Sequence, residues 1–75
     1  MGFELNGDRL REARRYRRLT ITSLSEKAGV SKQMVSRYER GTAQPGLEVF
    51  QKIVRALQFP VDFFTGTNKF EYKDE

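Results

Sequence analysis

Four side chains, Lys32, Gln33, Ser36 and Arg37, carry the most directed chemistry in the sequence. Lys32 and Ser36 are four positions apart, as are Gln33 and Arg37, so on a helix they form one contiguous polar surface. The donors on that surface suit the base edges of double-stranded DNA. Lys or Arg donates to guanine O6 and N7, Gln pairs bidentately with adenine N6 and N7, and a Ser hydroxyl serves a base or a phosphate. To reach those edges the four must ride on an element that enters the major groove.

The neighbouring residues describe such an element. Val35 and Tyr38, three apart, give the same segment an apolar face and put residues 32–40 on a helix. Upstream, Leu24 and Ala28 share one face of a shorter helix that Thr20 or Thr22 starts. A full capping box is missing in the Thr20 register, because Ser23 stands where Glu or Gln would be. Between the helices, Gly29 can end the first in the left-handed conformation, Val30 supplies an apolar anchor, and Ser31 can cap the second. Gly41 closes the second helix in the same way. Two helices joined by so short a turn meet at a steep angle, which is helix-turn-helix geometry over about residues 20–41.

The order Leu24, Gly29, Val30, Ser31, Val35, Ser36, Tyr38, Glu39 and Gly41, followed by Pro45 and Ile53, resembles the DNA-binding domain of the Cro and lambda-repressor family of bacterial and phage regulators. The resemblance runs from about Leu10 to about Phe64. It implies an all-α, compact domain of four to five helices that binds double-stranded DNA as a homodimer on an inverted repeat. Lys32, Gln33, Ser36 and Arg37 are then the base-reading residues. It also implies that the loop Gly41 to Gly46 lies along the phosphate backbone, with Ser31, Arg40, Thr42 and Gln44 as phosphate contacts. Arg14 stands where the family usually has an arginine paired with the glutamate matching Glu39. Two positions depart from the pattern. Ile21 replaces a phosphate-binding Gln at the start of the motif's first helix, and Ser25 replaces a small Ala.

Composition bounds the reading. A chain of 75 residues with 37 % hydrophobic content has room for one small domain with a core near the lower limit for independent folding. The absence of cysteine and histidine removes disulfides, the commonest metal ligands and the commonest general base, so no metal, cofactor or catalytic role is expected. Apolar runs are far shorter than a membrane span, the first residues lack the order of a signal peptide, and a cytoplasmic location is the expectation. The net charge of +4 is concentrated: residues 9–40 hold ten basic side chains against Glu12, Glu26 and Glu39. Such a block attracts a polyanion.

Taken in order, Asn6 or Asp8 caps a first helix running from Asp8 to about Arg18, with Leu10, Ala13, Arg14 and Arg17 on its inner stripe. Arg14 there needs a partner, and a guanidinium fork suits a carboxylate. Arg11, Arg15 and Arg18 read as solubilising charge. Met34 is expected to cover a core Tyr38. After Pro45, read as part of a first helical turn, Leu47, Phe50, Ile53, Val54 and Leu57 make a fourth, core helix. A short fifth helix lies within Phe59 to Gly66, with Phe59 expected in the core and Phe63 and Phe64 at the dimer interface. Residues 1–66 thus form the DNA-binding domain and residues 67–75 a charged tail or linker. Two other readings are an antitoxin or adaptor that holds a protein partner, and the DNA-targeting part of a larger protein.

Overall fold

Asn6 sets the start of the fold. Its side-chain oxygen accepts from the amides of Asp8 and Arg9 at 3.0 and 3.3 Å, satisfying two of the free donors that open α1, Gly7–Tyr16. The computed structural model describes residues 4–66, so the expectations for Phe3 and for the tail 67–75 lie outside the described residues. Four more helices follow: α2, Ile21–Ala28; α3, Lys32–Arg40; α4, Leu47–Leu57; and α5, Val61–Thr65. Among the described residues there is no strand, and no helix is long and apolar enough to cross a membrane.

The caps expected of α2 and α3 are present. Thr20 Oγ1 accepts from Ser23 N at 2.9 Å, and Ser31 Oγ from Met34 N at 3.2 Å. Gly29 and Gly41 end these helices at φ of +72° and +78°, a conformation that costs a side-chain-bearing residue about 1–2 kcal/mol. Packing then fixes the angles. α1 lies against α3 and α5, while α2 lies against α3 and α4. Leu10, Ala13, Leu24, Val35, Ile53, Leu57 and Phe64 are completely buried where these helices meet, with Leu5, Ala28, Tyr38 and Phe50 around them. Gly7 allows α1 to begin directly on the end of α3, for a Cβ there would sit 2.6 Å from the carbonyl oxygen of Tyr38.

Several sequence expectations change. α1 ends at Tyr16 rather than Arg18, because Arg18 takes a left-handed φ of +60° and turns the chain. Arg17 leaves the inner stripe and reaches α4, where its Nε donates to Leu57 O at 2.7 Å and its Nη2 to Gln58 O at 3.1 Å. These are carbonyls that the end of α4 cannot satisfy itself. Pro45 is buried before the Gly46 cap, outside the helix, and Leu47 at the first position of α4 is 60 % exposed. Phe59 is only partly buried, edge-on to Tyr16 with ring centroids 5.6 Å apart, whereas Phe64 fills the core.

Candidate nucleic-acid interface

α3 is held from behind. Val35 and Tyr38 sink its apolar face into the core, and Glu39, only 5 % exposed, sits at the seam with α1. Arg14 approaches Glu39 with both arms of its fork, Nε to Oε2 at 2.6 Å and Nη2 to Oε1 at 3.1 Å, while its Nη1 donates to Leu19 O at 2.9 Å. One guanidinium therefore joins α1, the α1–α2 connection and α3. Arg11, read from sequence as free surface charge, comes to 3.6 Å from the same carboxylate and adds a partly exposed second cation. A carboxylate buried with these donors stays oriented, and so does the helix that bears it.

The opposite face of α3 is unengaged. Lys32, Gln33 and Arg37 are exposed and Ser36 is half-buried, and among the described residues none of these four side chains makes a hydrogen bond or ion pair. The only carboxylate on α3 is Glu39, already held on the inner side. The outer face thus presents two cations, an amide and a hydroxyl to any acceptor. Arg40 is likewise exposed and unpaired among the described residues. Ser31 accepts the Met34 amide, which leaves its own proton free to donate to an acceptor in front of the helix.

Other expected contacts have internal work. The Thr42 amide and hydroxyl both donate to Arg37 O, at 3.0 and 3.3 Å, finishing the C-terminus of α3. Gln44 is committed further: its Oε1 accepts from Leu5 N at 2.7 Å and its Nε2 donates to Leu5 O at 3.1 Å. Gln44 thus forms a splint between the α3–α4 loop and the start of the chain. Phe64 is unavailable to a partner because it is fully buried, edge-on to Phe50 with centroids 6.3 Å apart. Phe63 is half-buried beside Phe59, with the Arg9 guanidinium 5.0 Å above its ring. The exposed large apolar side chains among the described residues are instead Tyr16, Leu47 and Val61. No group of acidic residues among those described could hold a metal ion.

Comparison with known proteins agrees with this architecture. The helix-turn-helix family profile matches residues 10–64, from the first core position of α1 to the last of α5. The chain belongs to the helix-turn-helix family. Within it, the transcriptional regulator ClgR of Mycobacterium tuberculosis is 40 % identical over 58 residues, 77 % of this chain and 52 % of that protein. An HTH-type transcriptional regulator of Sinorhizobium fredii is 34 % identical over 58 residues, 77 % of this chain and 41 % of its own length. The chain thus spans about half the length of the curated relatives it matches. Among solved structures, the P22 c2 repressor in complex with a synthetic operator aligns with a TM-score of 0.78 and 28 % identity, covering 87 % of this chain and 98 % of that one. SinR in complex with DNA gives a TM-score of 0.72 and 29 % identity, covering 76 % and 95 %.

Proposed function

We propose that this chain is the DNA-binding domain of a transcriptional regulator, a repressor that binds an inverted-repeat operator as a homodimer in the cytoplasm. The observation that carries the reading is the contrast within α3, whose inner face is locked by Arg14 and Glu39 while Lys32, Gln33, Ser36 and Arg37 have no side-chain partner among the described residues. The relatives are transcriptional regulators and two structural neighbours are bound to DNA, which supports the same reading. In it α3 enters the major groove, Gln33 and Arg37 read bases, Lys32 and Ser36 contact a base or the adjoining phosphate, and Ser31 and Arg40 hold the backbone.

Two copies would set their α3 helices in successive major grooves about 34 Å apart, and occupation of the promoter would exclude other proteins. Leu47 and Val61, exposed on α4 and α5, are the apolar residues we assign to the contact between copies, in place of Phe63 and Phe64. Selection from a random pool of double-stranded DNA tests the proposal. Enrichment of an inverted repeat, with log affinity falling by about 0.9 per log unit of salt for each phosphate neutralised, is the expected result. Failure of the folded protein to enrich any sequence overturns it and returns attention to the adaptor reading.

A further inference from the structure

A basic cleft of the domain lies away from the proposed reading face. It is an open hollow of about 760 Å³ between the ends of α2 and α4, and no residue of α3 or of the α3–α4 loop lines it. Arg17, Lys27, Lys52 and Arg55 ring it, with Glu26 as the single carboxylate. Leu19, Ala28 and Ala56 supply apolar lining. Lys27, Lys52 and Arg55 are exposed and make no hydrogen bond or ion pair among the described residues, so their charges are not consumed by the fold.

Helix ends account for part of this concentration. α2 and α4 both terminate at the cleft, and a helix C-terminus behaves as roughly half a negative charge, so two of them and Glu26 amount to about two negative charges. Four cations exceed that by about two. The excess matches a phosphate monoester, which carries about −1.5 to −2 at neutral pH and offers three acceptor oxygens to Lys and Arg donors. The apolar lining suits an uncharged body attached to that phosphate, and the volume is within the range of about 300–1,000 Å³ typical of small-ligand sites.

We infer that the α2–α4 cleft is a binding site for a small phosphate monoester with an apolar body, held by Lys52, Arg55 and Lys27 above Ala28 and Ala56. DNA phosphate is the other source of the same chemistry. The free ester is favoured because the cleft shares no residue with α3, and its apolar lining has no use for a sugar–phosphate backbone. Arg17 remains bound to the end of α4 and shapes the rim.

The test is titration of the DNA-free protein with phenyl phosphate, followed by amide chemical shifts. Saturable shifts centred on Ala28, Gly29 and Ala56 are expected, with inorganic phosphate binding more weakly for want of the ring. The double variant Lys52→Gln and Arg55→Gln should lose at least about tenfold in affinity, since each charged contact contributes more than a neutral one. Arg15→Gln, an exposed cation elsewhere on the domain, should leave affinity unchanged. Shifts scattered over every basic residue, or equal loss with Arg15→Gln, would overturn the site as mere charge attraction. A selected operator duplex that shifts the cleft amides as strongly as those of α3 would overturn it as part of the DNA surface. The phenyl phosphate titration uses no DNA, so its result is independent of whether the protein is a repressor.

Discussion

Arg14 and Arg37 are the same side chain in opposite situations. Arg14 makes three hydrogen bonds within the protein, and its side chain is 13 % exposed. Arg37 is exposed and makes none among the described residues. The difference lies in position on the helical surface: Arg14 faces a seam where water is scarce and a carboxylate is waiting, and Arg37 faces solvent. An unpaired guanidinium at the seam would be costly to bury, whereas the same group on the surface is hydrated at no cost to folding. The seam thus maintains shape, and the outer face retains its donors for a ligand.

The sharpest way to break this contrast is Glu39→Ala. It strands Arg14 in a largely buried site, so we expect a loss of about 3–5 kcal/mol in unfolding free energy, read by denaturant titration. A change below about 1 kcal/mol would mean that the seam is no more than a surface pair. Arg37→Ala and Gln33→Ala should do the reverse. Melting should be unchanged, while DNA affinity falls by about 1–3 kcal/mol and preference relaxes at one base pair per half-site. Equal weakening on every sequence would reassign them to phosphates.

Gln44→Ala sharpens the comparison by testing a residue that could have belonged to either side. Loss of its two bonds to Leu5 should lower stability by about 1–2 kcal/mol. A purely DNA-binding defect with unaltered stability would restore it to the phosphate contacts. The smallest expected effect is a gain. Gln58 ends α4 at φ of +58°, so Gln58→Gly should raise stability by up to about 1 kcal/mol in thermal unfolding, provided the Arg17 bond to its carbonyl persists.

Much of the fold was legible because its signals are local. The Leu24 and Ala28 spacing, the Gly29 and Gly41 stops and the Ser31 cap each act within a few residues, and α3 has the expected bounds. The Arg14 and Glu39 seam was accessible only through the family resemblance, since nothing in the spacing links residues 25 positions apart. What escaped is what depends on distant backbone. The Gln44 splint joins positions 39 apart, and Arg17 finds carbonyls 40 residues away. Neither leaves a local signature. The aromatic cluster misled for a related reason: composition identified an apolar end, but only the direction in which α5 docks decides that Phe64 enters the core and Val61 faces out. For the candidate site, helical periodicity grouped Lys32, Gln33, Ser36 and Arg37, and their lack of partners among the described residues emerged only in three dimensions.

The two ends of the described chain are stitched together: Asn6 N donates to Phe64 O at 2.7 Å, Asn6 Nδ2 to Gly66 O at 3.3 Å, and Arg9 Nη1 to Phe63 O at 2.9 Å. Under tension applied across residues 4 and 66, these bonds and the two between Leu5 and Gln44 would bear the first load. α5 would peel away first, while the seam that orients α3 lies deeper in the sequence and stays out of the early load path. Mechanically, the domain has a weak hem and a protected centre.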